Sequence, residues 1–220
     1  MNIEEYIAHS ALKPDTFMGD IEIACREAIE CKLTTVCVPP LFVKAAKRLT
    51  AQTGINISAV VGYPFGYSAI EAKIAEIVLA IIDGVDEVEM VINIGAVKNK
   101  DWQFLANEIN TAIPIIRKKE KMLTVIIETA LLTDEEIITA CDIYGAAGVD
   151  FIRIGTGIME NKLIIENLQL IRKHLADPIK IKVAADIKNY TFAKTLIGAG
   201  ANRLYGNNSL KIITEAMQQN

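Results

Sequence analysis

Eight short runs of apolar, often β-branched residues alternate with longer amphipathic runs along the whole 220-residue sequence. Short apolar runs bounded by turn residues are typical of buried strands, whereas apolar residues spaced three and four apart are typical of helices. A helix between two strands returns the chain so that the second strand runs parallel to the first. The alternation therefore predicts an α/β protein built around a parallel sheet.

The predicted elements follow each other without a long linker. The predicted strands cover residues 8–12, 34–38, 56–62, 87–93, 123–129, 151–156, 180–184 and 203–206. The predicted helices cover residues 19–31, 40–53, 68–83, 102–118, 134–147, 163–174 and 190–199, and a last one starts at Leu210. The spacing of Thr133 and Glu136 is that of a capping box, which supports a helix start at that point.

The number of strands separates two α/β architectures. Eight strands, each followed by a helix, predict a closed (β/α)8 TIM barrel that occupies residues 1–220 as one domain. An open doubly wound sheet is the competing fold, but no G-x-G-x-x-G sequence follows the first predicted strand. We therefore predict the barrel.

Composition and charge exclude several classes of protein. The chain is 51% hydrophobic and 23% charged, which fits a folded domain rather than a disordered one. The 23 basic and 27 acidic residues give a net charge of −4, so nucleic acid is not an expected partner. The longest apolar run, near residues 77–82, is too short for a membrane span. The acidic amino terminus does not have the pattern expected of a signal or transit peptide. These features predict a soluble cytoplasmic protein.

The sequence offers no metal-ligand pattern. The two histidines are His9 and His174, and the four cysteines contain no C-x-x-C pair. We therefore expect neither a metal nor an organic cofactor, and we expect the cysteines to be reduced thiols in the cytoplasm.

Polar residues within the apolar strands indicate which side chains face the barrel interior, because successive strand residues point to opposite faces. The flanking Val, Ile and Met positions then face the helices. This alternation places the following side chains inside: Cys37, Glu87, Glu89, Asn93, Thr124, Glu128, Arg153 and Lys182.

Several of these charges lie where barrel enzymes carry their active sites, toward the carboxyl ends of the strands. They are Glu89, Glu128, Arg153 and Lys182. A buried ion network with a purely structural role is the alternative, but desolvation makes such a network a poor source of stability. A functional site is therefore the favoured interpretation, with Glu87, nearer the start of its strand, as a structural residue.

The sequence resembles the deoxyribose-phosphate aldolase family over nearly its whole length. The motifs that carry the resemblance are HSALKPD at 9–15, VCVPP at 36–40, VVGYPFG at 60–66, DEVEMVINIGA at 86–96, VIIETALLTD at 125–134 and GVDFIRIGTG at 148–157. The resemblance implies a TIM barrel that cleaves 2-deoxyribose 5-phosphate to glyceraldehyde 3-phosphate and acetaldehyde through a lysine Schiff base.

The chain departs from that family at the positions that carry its chemistry. The family's Schiff-base lysine corresponds to Arg153, whose guanidinium stays protonated and cannot attack a carbonyl. The family's second lysine corresponds to Lys182, and Glu89 stands in place of its catalytic aspartate. The resemblance thus implies a divergent member that lacks the usual nucleophile.

The family's phosphate-binding segments are altered as well. Asp186 lies where the family has a Ser-Gly-Gly sequence, and its carboxylate would repel phosphate. Asn207 and Asn208 replace the later phosphate turn, and their amides can still donate hydrogen bonds to a substrate. These differences favour an unphosphorylated substrate.

Three functions remain open. The first is an aldolase-like lyase or synthase for a small carbonyl compound, with Lys182 as the amine, its pKa depressed by Arg153, and Glu89 as the proton shuttle. Glu128 would orient these groups, and Cys37 would lie beside the substrate or serve as a core thiol.

The second function is an isomerase, cyclase or lyase without a Schiff base. Arg153 would bind a carboxylate or enolate while Glu89 and Lys182 exchange protons. The third is a non-catalytic family member with a binding role. A homo-oligomer is open in every case, since the loop at residues 63–67 suits either a lid or a subunit contact.

Overall fold

The computed structural model describes residues 2–206 and 208–218, in which eight parallel strands close into a barrel in chain order. Each strand pairs with its sequence neighbours, and the first pairs with the last. The strands are β1 (Ile7–Ser10), β2 (Thr35–Val38), β3 (Asn56–Val61), β4 (Glu87–Val91), β5 (Met122–Ile127), β6 (Phe151–Ile154), β7 (Lys180–Ala184) and β8 (Arg203–Tyr205). The predicted TIM barrel is therefore confirmed.

Helices lie outside the barrel and connect successive strands, and a last helix follows the final strand. They are α1 (Met18–Glu30), α2 (Val43–Leu49), α3 (Ile70–Ile82), α4 (Ile94–Lys98), α5 (Trp102–Arg117), α6 (Asp134–Ala147), α7 (Ile164–His174), α8 (Tyr190–Gly198) and α9 (Ser209–Gln218). The capping box at the start of α6 is present, since the Glu136 amide donates to Thr133 Oγ1 and the Thr133 amide donates to the Glu136 carboxylate. None of the helices in the described ranges is both long and apolar enough to span a membrane.

The structure corrects the prediction at the end of the fourth strand. Strand β4 ends at Val91, and the short helix α4, which the sequence pattern did not predict, follows almost at once. The Asn93 side chain accepts a hydrogen bond from the Ala96 amide at 3.0 Å and caps this helix. Asn93 therefore does not face the barrel interior, because the strand alternation on which that expectation depended has already stopped.

Alternating strand residues supply two separate apolar regions. Residues such as Val88, Ile152 and Val183 pack between the barrel and its helices. A smaller apolar cluster lies inside the barrel; its buried members are Ala8, Cys37, Val60, Val91, Ile126, Ala184 and Tyr205. The alternation inferred from the sequence is thus confirmed, and the interior has room for charged side chains as well.

The loop between β3 and α3 folds against the end of β4 and brings Tyr63 to the barrel mouth. Gly66 lies in this loop with a φ of +68°, and a Cβ atom there would lie 2.0 Å from the Ile92 carbonyl oxygen. Gly148 also has a positive φ, of +71°, at the end of α6, but a Cβ atom there would meet nothing within 4 Å. Of these two glycines, only Gly66 is therefore restricted by both conformation and space.

These two glycines form a matched pair for a stability measurement. Gly148→Ala should lower the free energy of unfolding by about 1 to 2 kcal/mol, because only the left-handed backbone is strained. Gly66→Ala should cost about 1 to 3 kcal/mol more, because the new methyl group also overlaps backbone. Urea unfolding of both variants and the parent chain measures the difference, and equal losses would contradict the close approach at Gly66.

Candidate active site

A group of hydrogen-bonded charges lies on the axis of the barrel. Lys182, at the centre of β7, has its amine 2.9 Å from Glu89 Oε1 and in contact with Glu87 Oε1. Glu87 and Glu89 lie two residues apart on β4 and therefore point to the same side of the strand. All three side chains have no solvent exposure, so the amine is held between two carboxylates in a dry interior.

Glu87 anchors the lower half of this group. Its carboxylate accepts hydrogen bonds from Thr124 Oγ1 and, at 3.0 Å, from Arg203 Nη1 on β8. The aromatic ring of Phe151 lies 4.6 Å from the Lys182 amine and 5.0 Å from the Arg203 guanidinium. Glu87, which the sequence suggested to be structural, is therefore in direct contact with Lys182.

Arg153 forms the upper end of the group. Its Nη1 donates to Glu89 Oε2 at 2.5 Å, and its Nε and Nη2 donate to the carbonyl oxygens of Gly155 and Thr156 at 3.2 and 3.1 Å. Its guanidinium also lies 4.6 Å from the centre of the Tyr205 ring. These contacts hold the guanidinium in place although only 1% of the side chain is exposed.

Tyr205 joins the three upper charges. Its hydroxyl donates to Glu89 Oε1 at 2.7 Å and lies 3.5 Å from the Lys182 amine. The residue is 2% exposed. Glu89 therefore accepts hydrogen bonds from an amine, a guanidinium and a phenol at once.

A cavity of about 380 Å³ opens at the barrel mouth above this group. Its walls include Arg153, Tyr205, Tyr63, Thr156 and Asp186. The side chains of Lys182 and Glu89 do not reach it, because Arg153 and Tyr205 lie above them. Of the hydrogen-bonded group on the barrel axis, Arg153 and Tyr205 line the cavity, although they are only 1% and 2% exposed.

The predicted site residues separate into three groups. The structure brings Lys182, Glu89 and Arg153 together, as expected. Glu128 lies apart from them: its Oε2 accepts from the Thr156 amide at 2.9 Å and from the Thr156 hydroxyl at 2.6 Å, which holds the loop after β6. Its other oxygen is buried without a hydrogen-bond partner among the described residues.

The remaining predictions concern the barrel mouth. Asp186 is exposed and lines the cavity. The Asn208 amide donates to the Ile187 carbonyl at 3.3 Å and so supports the backbone rather than the cavity wall. Cys37 is buried, with its sulfur 3.8 Å from Arg153 Nη1. The prediction for Asn207 falls outside the described residues.

Sequence reasoning missed Arg203 and Tyr205. Both lie on β8, which is only three residues long, and its single outward residue, Leu204, packs toward the helices. The same alternation that identified Glu87 and Glu89 would have placed Arg203 and Tyr205 inside. A three-residue strand is too short for its alternation of inward and outward residues to be recognised in the sequence.

Burial dominates the acid–base properties of the group. Burial lowers the pKa of Lys182 well below its usual value, and repulsion from Arg203 adds to this effect. Contact with Glu87 and Glu89 acts in the opposite direction, because a carboxylate stabilises the ammonium form. The sequence-based expectation assigned the repulsion to Arg153; the structure assigns it to Arg203.

The guanidinium, the phenol and the thiol at the site stay protonated. Burial disfavours the charged form of Arg153, but attraction to Glu89 outweighs it and raises the pKa of the guanidinium. Burial, reinforced by Glu89, raises the pKa of Tyr205 well above its usual value. Burial also raises the pKa of Cys37 to about 12, so its thiol is a poor nucleophile at neutral pH.

A search of residues 2–206 and 208–218 finds no group of three or more His, Cys, Asp or Glu side chains able to hold a metal ion. The side chains at the site offer an amine, carboxylates, a guanidinium and a phenol. Such a set can bind an oxyanion or a carbonyl oxygen and can exchange protons with it.

Replacing Glu87 tests how much the pairing of buried charges contributes to the free energy of unfolding. Glu87→Gln leaves Lys182 and Arg203 without a shared carboxylate and should lower the free energy of unfolding by about 3 to 5 kcal/mol. Asp186→Asn is the control, because Asp186 is exposed, and it should change stability by less than about 0.5 kcal/mol. Urea unfolding measures both, and similar small losses would show that the buried carboxylate is dispensable.

Comparison with known proteins places this chain in a family. Residues 6–210 match the profile of the DeoC/LacD family aldolases. The deoxyribose-phosphate aldolase of Caldanaerobacter subterraneus is 35% identical over 220 residues, which cover 100% of this chain and 95% of that protein.

Two solved structures share the fold. The structure described as QR15, an aldolase, is 30% identical, with a TM-score of 0.92 and coverage of 100% of this chain and 97% of that one. The deoxyribose phosphate aldolase from Aeropyrum pernix has a TM-score of 0.90 at 19% identity, with coverage of 99% and 92%, and supports the fold alone. The chain belongs to the DeoC/LacD family of aldolases.

Proposed function

We propose that this chain is a carbon–carbon lyase that acts, in the cleavage or synthesis direction, on a small carbonyl compound bound as an imine to Lys182. The observation that carries the proposal is the 2.9 Å contact between the Lys182 amine and Glu89 in a fully buried site. Imine chemistry needs an amine that can lose its proton and a neighbouring group that can accept and return protons. Membership of an aldolase family supports the reaction class.

Lys182 is the amine that the site offers. The other lysine of β7, Lys180, is exposed and lies two residues earlier, toward the bottom of the barrel. Arg153 occupies the neighbouring interior position on β6, directly beside Lys182 in the strand register, but a guanidinium remains charged. Burial and Arg203 favour the neutral amine that attack on a carbonyl requires.

Substrate reaches Lys182 from the mouth cavity only past Arg153 and Tyr205. The proposal therefore includes a side-chain movement of Arg153, whose contacts with the Gly155 and Thr156 carbonyls are replaceable by contacts with a substrate oxygen. Glu128 acts as a positioning residue here, because it holds Thr156 and with it the loop that Arg153 contacts.

The same geometry favours a second candidate. Arg153 lines the cavity and Lys182 does not. A guanidinium at the cavity floor could bind a carboxylate or an enolate oxygen while Glu89 and Lys182 exchange protons, without a covalent intermediate. The reaction would then be a lyase or isomerase reaction without an imine, and a trapping experiment separates the two candidates.

We propose that the substrate carries no phosphate. Asp186 borders both the mouth cavity and an adjoining cavity of about 570 Å³. The walls of the second cavity include the apolar side chains of Ile158, Met159 and Phe192. Lys188, an exposed residue of this second cavity, has its amine 3.8 Å from the Asp186 carboxylate. The carboxylate offsets the attraction of the Lys188 amine for an anion.

We further propose that the chain acts as a homo-oligomer in the cytoplasm. The relative from Aeropyrum pernix is described as tetrameric. On this chain, Leu79 and Ile82 of α3 are 60% and 72% exposed, and an apolar helix face of this kind suits a contact between subunits. All four cysteines are free thiols, as expected in a reducing compartment.

Borohydride trapping tests the imine. With acetaldehyde or another small aldehyde present, borohydride should reduce an imine to a stable secondary amine, and peptide mass mapping should place it on Lys182. Lys182→Met should abolish the adduct and lower carbon–carbon bond turnover by about 10⁴-fold or more, because loss of the covalent nucleophile removes the reaction path that depends on it. Lys180→Met is the matched control and should retain both.

The outcomes separate the candidates. Turnover that survives in Lys182→Met, with no adduct in the parent chain, would reject the imine and support the mechanism that depends on Arg153. An adduct mapped to Lys13, which also lines the mouth cavity, would move the amine to another residue. Absence of both adduct and turnover across a broad panel of carbonyl compounds would indicate a binding role.

A pair of sugars tests the absence of phosphate recognition. We expect kcat/KM for 2-deoxyribose 5-phosphate to exceed that for 2-deoxyribose by less than about tenfold, since one repelled anion contributes little binding energy. Asp186→Ser removes the repulsion and should shift the ratio toward the phosphorylated sugar. A parent enzyme with a strong preference for the phosphorylated sugar would contradict this part of the proposal.

A further inference from the structure

We infer that Tyr205 carries protons between the substrate and Glu89. This inference rests on the proposed function and adds to it the residue that connects the acid–base group to the cavity. From the sequence we expected Glu89 to be the proton shuttle, but Glu89 is fully buried and does not line the mouth cavity. A residue that contacts Glu89 and also lines the cavity would connect the two.

The contacts of Glu89 leave one residue able to do so. Its carboxylate accepts hydrogen bonds from Lys182, Arg153 and Tyr205. Lys182 is the amine that becomes part of the imine. Arg153 reaches the cavity but cannot release a proton. Tyr205 both lines the cavity and carries a proton that it can exchange.

The distances suit a relay. The Tyr205 hydroxyl lies 2.7 Å from Glu89 Oε1 and 3.5 Å from the Lys182 nitrogen. A carbonyl carbon bonded to that nitrogen would hold its neighbouring carbon, the α-carbon, beside the phenol oxygen. Burial and the Glu89 carboxylate keep the phenol protonated at neutral pH, so it enters the reaction as a donor hydrogen-bonded to a base.

The proposed step interconverts the iminium ion and the enamine. The α-carbon–hydrogen bond breaks, its electron pair forms the carbon–carbon double bond, and the iminium π pair returns to the Lys182 nitrogen. The released proton goes to the Tyr205 oxygen while the phenol proton moves to the Glu89 carboxylate. In the reverse direction Glu89 returns its proton to Tyr205 and Tyr205 protonates the α-carbon, so no further reactant is needed.

Two measurements on acetaldehyde separate this step from imine formation. Borohydride trapping reports the imine on Lys182, and NMR in deuterium oxide reports the exchange of the methyl hydrogens through the enamine. In Tyr205→Phe we expect the final trapped fraction to stay within about twofold of the parent chain. We expect the exchange rate to fall by about 100-fold or more, the usual loss when a proton-transfer residue is removed.

Tyr144→Phe is the matched control. Tyr144 is a fully buried tyrosine of α6 whose hydroxyl has no hydrogen-bond partner among the described residues. Loss of that hydroxyl should leave trapping and exchange unchanged. Circular dichroism of all variants checks that each has folded.

Glu89→Gln keeps a hydrogen-bond acceptor for Tyr205 but removes the proton acceptor, and it provides a second test. Because both residues act in one relay, the exchange rate of the double variant Tyr205→Phe/Glu89→Gln should be no lower than that of the slower single variant. Multiplicative losses, or exchange in Tyr205→Phe within about threefold of the parent, would overturn the inference and leave the imine intact. A parent chain that neither forms an adduct nor exchanges would overturn the proposed function and the relay together.

Discussion

Five charged side chains share the dry interior of the barrel, and the pairing of each cation with a carboxylate is the constraint on which the rest of the site depends. Removing a charge from water costs several kcal/mol even after the protein relaxes, so an unpaired charge at this position is strongly destabilising. Glu87 is shared by Lys182 and Arg203, and Glu89 is shared by Lys182 and Arg153. Each carboxylate thus serves two cations, and Lys182 lies between the two carboxylates.

The group on the barrel axis therefore has a lower part around Glu87 and an upper part around Glu89. Arg203, Glu87 and the Phe151 ring hold the lower part together. Arg153 and Tyr205 form the floor of the mouth cavity and cover Lys182. Arg153 therefore places a permanent cation beside Lys182 and at the wall of the mouth cavity.

Much of the fold was predictable because its signals are local. Strand runs and helix periodicity identified every strand, and the Thr133 and Glu136 capping box marked a real helix start. The short helix α4 was missed because five residues are too few for a helical period to show. The site was predicted only in part, because alternation is visible only in a strand that is long enough. Alternation along the longer strand β4 identified Glu89, whereas the three-residue strand β8 gave no pattern that identified Tyr205.

The sequence by itself determined the class of fold, through the alternation of strands and helices. The two-residue period of the longer strands determined which charges face inward, and residue identity alone gives an arginine rather than a lysine at position 153. Only the tertiary structure decided which of those charges touch. Glu87 and Arg203 are 116 residues apart and meet because the barrel closes and sets the stagger between its strands. The same closure separates Glu128 from Lys182 and leaves Tyr205 and Arg153 at the cavity. The height of each side chain along the barrel axis depends on the stagger of all eight strands, which no single strand sequence shows.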